Sequence, residues 1–232
     1  MTENPAAGRV VLIAGATSVS GLAATRALAS AGARVIAVGH DSDKLDALAG
    51  EVPGIRAEVC DLTDEFAMRT LVEHVHSAVG TVDGVVHLVG GWRGGGGLAG
   101  QSEADYRFLE RSLTALRVVS RAFDDDLRAS PAGRLAIVSS TVVDRPLAGG
   151  ANYAAIKAAS EAWTRAVAQG FAKAARDAGT PLSAAAVIFR VKSLEGLEET
   201  LAQRVVGLWA EDAASVNGTI ITLESSRSAD PG

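Results

Sequence analysis

The chain has 232 residues, of which 48% are hydrophobic and 4% aromatic, and its formal net charge at pH 7 is −5. This composition argues against a disordered chain, and the negative charge favours neither a nucleic-acid partner nor an anionic membrane surface. The apolar runs fall far short of the roughly 20 residues that a membrane span needs. We therefore expect one cytoplasmic domain over residues 1–232, with frayed termini at 1–7 and 225–232.

Apolar runs that suit buried strands alternate along the chain with segments whose apolar residues recur at helical spacing. Strands are predicted at 9–14, 33–39, within 54–64, at 82–91, 135–140, 182–189 and 218–223, and helices at 22–32, 44–50, 63–79, 102–129, 151–178 and within 197–212. This alternation predicts an α/β fold, a doubly wound sheet of about seven parallel strands with helices on both faces. The expected strand order is 3-2-1-4-5-6-7.

The turn between the first strand and the first helix has the sequence GATSVSG and carries Gly15 and Gly21. A glycine-bearing turn at this place lets backbone N–H groups and the helix N-terminus face a pyrophosphate. The turn therefore predicts a phosphate-bearing ligand at this edge of the sheet.

Ser140 ends the fifth predicted strand, and Tyr153 and Lys157 lie four residues apart on the following helix, so their side chains share one face. A free tyrosine has a pKa of about 10, and an ammonium one turn away favours the phenolate and lowers that value. Tyr153 is thus a candidate general acid or base, and Ser140 a candidate to hold a carbonyl or alcohol oxygen. Alternatively, Tyr153 is an interfacial helix residue and Lys157 a solvated charge.

A strand-end serine followed 13 residues later by Tyr-x-x-x-Lys, in the run ANYAAIKAA, resembles the short-chain dehydrogenase/reductase family, and the resemblance covers roughly residues 8–223. It implies a Rossmann-type fold and a nicotinamide-dependent oxidoreductase that interconverts a carbonyl and a secondary alcohol. Tyr153 would exchange the proton, Lys157 would lower the pKa of Tyr153 and bind the nicotinamide ribose, and Ser140 would orient the oxygen. Ser112 aligns with the catalytic asparagine that helps to hold a relay water in relatives. A small-molecule substrate and a homodimer or homotetramer are also implied.

The family's nucleotide turn, T-G-x-x-x-G-x-G, corresponds here to Ala14–Gly21. Val19 replaces the middle glycine, and its branched side chain is expected to obstruct the phosphates. Gly39 and His40 favour NADP, whereas Asp41 favours NAD, so both cofactors stay open with NADP preferred. The resemblance implies that the cofactor is bound by Gly15, Thr17, Ser18, Val19, Gly21, His40, Asp61, Leu62, Gly90, Tyr153, Lys157 and Val191.

Several other family motifs are replaced. N-N-A-G after the fourth strand is here His87–Gly90, Pro-Gly after the sixth strand is Ile-Phe at 188–189, and little chain follows Ser193 for a substrate-covering lid. These departures, together with Val19, leave a second hypothesis open. The chain would then have lost nicotinamide chemistry and would serve as a binding or partner subunit, or as an acid/base enzyme without redox change.

A glycine-rich segment at 90–100 lies where a substrate would enter, and it carries Trp92 and Arg93. An arginine there could bind a carboxylate or phosphate, and a tryptophan could stack on a ring. A solvated arginine and an anchoring tryptophan are an equally open alternative. The candidate substrate residues are Trp92, Arg93 and Val142, with Arg145, Arg190 and Lys192 as further candidates on nearby loops.

The other chemically distinctive side chains are predicted to be structural. Cys60 is the only cysteine and is expected to be a buried, inert thiol. His74 and His76 fall on different faces of a helix, and no metal site is predicted. Trp163 and Trp209 lie within helical patterns and are expected to pack in the interior.

Overall fold

A computed structural model describes residues 4–224, in which seven strands form one sheet. The strands are β1 (Val10–Ala14), β2 (Arg34–Gly39), β3 (Arg56–Val59), β4 (Gly84–His87), β5 (Arg134–Ser140), β6 (Ala185–Val191) and β7 (Ile220–Leu223). Their order is β3-β2-β1-β4-β5-β6-β7, and every neighbouring pair is parallel. The predicted fold class and strand order are therefore confirmed.

Helices connect the strands and cover both faces of the sheet. They are α1 (Val19–Ser30), α2 (Ser42–Glu51), α3 (Glu65–Val79), α4 (Glu103–Ala122), α5 (Asp124–Ala129), α6 (Ala151–Ala178), α7 (Glu198–Gly207) and α8 (Ala213–Val216). Packing of α1 against α7 covers one face, and packing of α4 against α6 covers the other. Within residues 4–224, no helix combines the length and the apolar character needed to cross a bilayer.

The helix predicted over 102–129 is in fact two helices, α4 and α5, which meet at Phe123. The side chain of Phe123 is fully buried, and its φ of −112° and ψ of 14° leave the helical region. The next three residues are aspartates in the first turn of α5, where negative charge favours a helix start. Burial of Phe123 and this acidic run together explain the break.

Alternate residues of the central strands pack into different cores. Val11 and Ile13 of β1 face the core under α1 and α7, whereas Leu12 and Ala14 face the core under α4 and α6. Trp209 is buried in the first of these cores, as predicted. Because both faces are covered, only the ends of the strands remain available for ligands.

The predicted frayed termini lie only partly within the described residues. Residues 1–3 and 225–232 are outside them. Residues 5–8 form a turn in which Ala6 is fully buried, and the N–H of Gly8 donates to the carbonyl oxygen of Gly32 at 2.9 Å. This part of the N-terminal segment therefore packs beside the first helix.

Candidate active site

Two adjoining cavities open at the carboxyl edge of the sheet. The first has a volume of about 680 Å³ and the second of about 440 Å³. The residues that line both are Ser18, Leu88, Val89, Gly90 and Gly91. Ligands of doubly wound sheets bind in the crevice beyond this edge, so the paired cavities suit one extended ligand and a second, smaller one.

Ser140, Tyr153 and Lys157 all line the first cavity. Ser140 is the last residue of β5, where parallel pairing places it opposite Val191 of β6. Tyr153 and Lys157 lie on successive turns of α6, which begins at Ala151. The tertiary structure thus brings the three predicted catalytic side chains to one cavity.

Lys157 extends back towards the sheet, and its Nζ donates a hydrogen bond to the carbonyl oxygen of Val138 at 2.8 Å. Burial lowers the pKa of Lys157 to about 8, and the carboxylate of Glu161, one helical turn later, acts in the opposite direction. Lys157 is therefore mostly charged at neutral pH and titrates just above it.

The phenol of Tyr153 behaves differently from the prediction. Burial raises the pKa of Tyr153 above its usual value, and interaction with the Ser140 hydroxyl only partly opposes this. The Lys157 ammonium lies 5.7 Å from the centroid of the Tyr153 ring. The expected lowering of the pKa by Lys157 is thus wrong for this structure, because the cost of burying the phenolate is larger than the stabilisation by the nearby groups.

Ser139, Glu161 and Arg190 form a charged cluster behind the catalytic side chains, named here the back network. Arg190 donates from Nε and Nη2 to the two carboxylate oxygens of Glu161, each at 2.7 Å, and the Ser139 hydroxyl donates to Glu161 at 2.7 Å. Burial raises the pKa of Glu161, but the hydrogen bonds from Arg190 and Ser139 bring it below its usual value. Since Ser139 precedes Ser140 and Glu161 follows Lys157 by one turn, the network joins β5 to α6 beside these two residues.

The glycine turn after β1 has the geometry of an anion site. Gly15 adopts a φ of 85°, and a Cβ there would lie 3.0 Å from the backbone of Leu88. The Ser18 hydroxyl caps α1 by accepting from the N–H of Gly21, and a Cβ on Gly21 would lie 2.5 Å from the carbonyl oxygen of Gly15. The earlier N–H groups of the first turn have no partner within the helix. They are available to a phosphate, as the sequence predicts.

Val19, which was expected to obstruct this turn, is the first residue of α1. Its side chain is 71% exposed and lines neither cavity. The backbone of Gly15 and Ser18 forms the cavity walls at this point instead. The two cavities therefore stay open beside the turn despite the loss of the middle glycine.

The second cavity collects most of the predicted cofactor residues. The predicted cofactor residues that line it are Gly15, Thr17, Ser18, His40, Asp61, Leu62 and Gly90. Ser112, which was predicted as a catalytic residue, also lines it, whereas Val191 lines the first cavity. Asp61 accepts from the N–H and hydroxyl of Thr63, which lower the pKa of Asp61, and pairs with Arg111 at 3.2 Å. Arg111 was not identified from the sequence. Nothing in its local pattern indicates that it faces the turn after β3.

Ser112 does not present a free hydroxyl to a water relay. Its Oγ donates to the carbonyl oxygen of Leu109 at 2.7 Å, and its own carbonyl oxygen lies 3.1 Å from Nε2 of His87. His87 is buried, lines the first cavity, and has a pKa lowered to about 3 by burial and by the charge of Lys157. At neutral pH it is a neutral imidazole, and its Nε2 donates to Ser112.

Of the candidate substrate residues, Trp92 and Val142 line the first cavity, and so does Lys192. Arg93 does not. Its guanidinium lies 3.9 Å from the centroid of the Phe108 ring and donates to the carbonyl oxygen of Trp92 at 2.8 Å. The alternative of a solvated arginine, which here also packs on the Phe108 ring, therefore describes Arg93 better than a substrate contact.

The remaining arginine candidates also lie away from the substrate cavity. Arg190 is bound to Glu161 and to Asp144, so its guanidinium has no free face for an anion. Arg145 does not line either cavity. Glu161 itself was missed from the sequence, although its spacing of four residues from Lys157 was a signal that it shares the same helix face.

Cys60 is buried at the edge of the second cavity, and burial raises the pKa of its thiol to about 11. This agrees with the predicted inert thiol. His76 binds the carboxylate of Asp126 at 2.8 Å. Among residues 4–224, no group of three or more His, Cys, Asp or Glu side chains is arranged to hold a metal ion.

A family model described as short chain dehydrogenase matches residues 9–175. A protein named as a ketoacyl reductase of the granaticin polyketide synthase in Streptomyces violaceoruber is 33% identical over 153 residues, which cover 64% of this chain and 54% of that protein. A 3-oxoacyl-acyl-carrier-protein reductase from Haemophilus influenzae is 25% identical over 164 residues, which cover 70% of this chain and 67% of that protein. The chain thus spans about half the length of the first of these relatives.

Among solved structures, a short chain dehydrogenase from Burkholderia cenocepacia in complex with NADP superposes with a TM-score of 0.80. The two chains are 24% identical, and the superposition covers 95% of this chain and 98% of that one. At this identity the likeness shows a shared fold.

Proposed function

The chain belongs to the short-chain dehydrogenase family, and from that premise we propose that it is a nicotinamide-dependent oxidoreductase that interconverts a carbonyl and a secondary alcohol. The observation that carries the proposal is the meeting of Ser140, Tyr153 and Lys157 in one cavity beside a glycine turn with free N–H groups. A bound nicotinamide supplies or accepts the hydride.

The side chains of the cavity divide the remaining work. The Tyr153 hydroxyl donates a proton to the substrate oxygen in reduction and accepts one in oxidation, and Ser140 orients that oxygen by a hydrogen bond. The Lys157 ammonium supplies positive charge to this proton transfer and binds the nicotinamide ribose. The back network keeps Ser140 and Lys157 in register with each other. Because burial disfavours the Tyr153 phenolate, the resting phenol is protonated and prepared for reduction.

The residues at the end of β2 favour NADP over NAD. Gly39 carries no acidic side chain to bind both ribose hydroxyls, and a Cβ at this position would lie 3.2 Å from Cγ2 of Thr17. Asp41, which the sequence assigned to the opposite preference, caps α2 by accepting from the N–H of Lys44 at 3.1 Å. His40 remains beside the cavity to meet a 2′-phosphate. The NADP complex of the Burkholderia structure is consistent with this choice.

The substrate is proposed to be a small carbonyl compound with an apolar substituent. The first cavity is walled by Val89, Val138, Val142, Leu147 and Leu194 around the polar catalytic group. Such walls bind apolar groups and leave one oxygen to the polar residues. The ketoacyl substrates named for two relatives have this character. A homodimer or homotetramer and a cytoplasmic location complete the proposal by family likeness.

Two measurements test this function. Purified protein is titrated with NADPH and with NADH while nicotinamide fluorescence and the melting temperature are followed, and a rise in the melting temperature with NADPH is expected. Carbonyl substrates are then screened by NADPH oxidation. Tyr153→Phe should lower turnover by roughly 10²–10⁴-fold and leave NADPH binding unchanged, because only the transferable proton is removed.

Tyr106→Phe is the matched control, since Tyr106 is the other tyrosine of the chain and lines neither cavity. Retained turnover in Tyr153→Phe would remove Tyr153 from the proton transfer. If neither nicotinamide binds at millimolar concentration, the alternative of a non-redox protein is favoured. The observations behind that alternative are the family motifs replaced at His87–Gly90 and at 188–189 and the short segment after Ser193.

A further inference from the structure

Residues 91–100, named here the glycine loop, lie in the connection between β4 and α4, and Gly91 and Trp92 of this loop line the first cavity. Gly95, Gly96 and Gly97 have φ values of 127°, 64° and 64°, which side chains with a Cβ rarely adopt. The loop packs directly on the segment that precedes α6, because a Cβ on Gly94 would lie 2.5 Å from the carbonyl oxygen of Gly149. Glycine is thus required both for the path of the loop and for this contact.

One side-chain amide joins the two segments. Nε2 of Gln101 lies 3.1 Å from the carbonyl oxygen of Gly95, 3.2 Å from that of Gly97 and 3.0 Å from that of Gly149. Oε1 of Gln101 accepts from the N–H of Asn152, in the first turn of α6, at 3.2 Å. Gln101 therefore uses both ends of its amide to hold the glycine loop against the start of the helix that carries Tyr153.

The backbone adds one further bond between the same segments. The N–H of Gly95 donates to the carbonyl oxygen of Gly149 at 2.7 Å. On either side of this junction, Trp92 of the loop and Leu147 and Gly150 of the other segment line the first cavity. The joined segments form one continuous wall of that cavity, named here the front wall.

The opposite side of the cavity offers little chain for a cover. Only residues 192–197 separate the end of β6 from the start of α7. The glycine loop is therefore the long connection that borders the cavity opening.

We propose that Gln101 is a positioning residue that latches the glycine loop over the substrate cavity, so that the loop takes the part of a substrate cover in this chain. The latch sets the place of Trp92 at the cavity opening and fixes the first turn of α6. Release of the latch swings Trp92 away from the opening and enlarges the entrance. The structural part of this proposal is independent of catalysis, and its effect on substrate binding rests on the proposed function.

Hydrogen–deuterium exchange of the full chain, without cofactor, tests the latch directly. In Gln101→Met, the amide of Asn152 loses its acceptor, and the amide of Gly95, which donates to Gly149, loses the side-chain amide that holds the two segments together. Both amides should therefore exchange roughly tenfold faster. Gln101→Glu removes the amide donor to the three carbonyls and keeps an acceptor for Asn152. Faster exchange at Gly95 with normal protection at Asn152 is therefore expected in this variant.

Gln169→Met is the matched control, because Gln169 is an exposed residue further along α6. It should leave exchange in both segments unchanged. Unchanged exchange at Gly95 in Gln101→Met and Gln101→Glu, with melting temperatures equal to that of the wild type, would overturn the latch.

Steady-state kinetics test the effect on the substrate cavity. With a carbonyl compound that the wild type reduces, Gln101→Met should raise KM by roughly tenfold and lower kcat by a smaller factor, since the loop positions the substrate and Tyr153 remains anchored on the rest of α6. Faster exchange at Gly95 with an unchanged KM would overturn the role as a substrate cover. If no carbonyl compound is turned over by the wild type, the proposed function fails, and the exchange results still decide the latch.

Discussion

The two sides of the first cavity are held by different kinds of interaction. On the inner side, the back network places a fully buried carboxylate, Glu161, between Arg190 and Ser139. On the outer side, the front wall consists of glycine backbone joined by the neutral amide of Gln101. Buried charges are costly to leave unpaired, whereas a neutral amide that loses its partners at the surface can bond to water. The inner side is therefore built for fixed geometry and the outer side for movement.

Removal of Arg190 from the inner side is expected to lower the free energy of unfolding more than any other change considered below. Arg190→Met leaves Glu161 buried without its bidentate partner and should lower the free energy of unfolding by about 3–5 kcal/mol, measured by urea denaturation. Arg165→Met is the matched control. Arg165 also binds Glu161, at 3.2 Å, but its side chain is 48% exposed, so a loss of less than about 1 kcal/mol is expected.

The double variant Arg190→Met/Glu161→Met sharpens the same test. It removes both charges and should be more stable than Arg190→Met alone, because a buried carboxylate that has lost its bidentate partner is worse than an apolar pair. If Arg190→Met lies within about 1 kcal/mol of the wild type, the inner side is no more rigid than the outer one.

The buried ammonium of Lys157 gives the next largest expected effect, and it depends on pH. Its folded-state pKa is about 8, below the value of about 10.4 for an unfolded chain, so the unfolded state binds more protons between these values. The free energy of unfolding of the wild type should therefore rise by about 2 kcal/mol relative to Lys157→Met from pH 8 to pH 10. Below about pH 7 the difference should be constant, because Lys157 is then charged in both the folded and the unfolded state.

Denaturation with urea at several pH values checks this prediction. Lys173→Met is the control, because Lys173 is an exposed surface residue paired with Asp177. The difference in the free energy of unfolding between Lys173→Met and the wild type should vary little with pH. If the free energies of unfolding of the wild type and Lys157→Met also differ by the same amount at every pH, the Lys157 ammonium remains hydrated in the folded state. The inner side of the cavity is then less dry than the structure indicates.

The smallest expected effect concerns an exposed ion pair that lines the second cavity. Arg111 and Asp61 lie 3.2 Å apart, with 62% and 50% of their side chains exposed. Arg111→Ala should change the free energy of unfolding by less than about 1 kcal/mol, and the change should shrink at high salt. A loss comparable to that of Arg190→Met would mean that surface charge holds the site as firmly as the back network does.

Most strands and helices were predictable from the sequence because they depend on the short-range periodicity of apolar residues. The parallel sheet and its strand order followed from alternating apolar runs and helical segments. The break at Phe123 was missed, because helical periodicity continues through 102–129, although the three aspartates after Phe123 were a local signal for a second helix start. Trp209 was predicted correctly as a packing residue, since its place in a helical pattern is itself local information.

For the candidate site, too, one part was predictable from the sequence and another was not. Ser140, Tyr153 and Lys157 lie within one stretch of 18 residues. Their spacing in the sequence therefore sufficed to predict that these side chains meet in one cavity. Only the tertiary structure decided that burial raises the pKa of Tyr153 and that Arg190 serves Glu161. Solvation and pairing depend on chain segments that are distant in sequence and close in space, and local spacing carries no information about them.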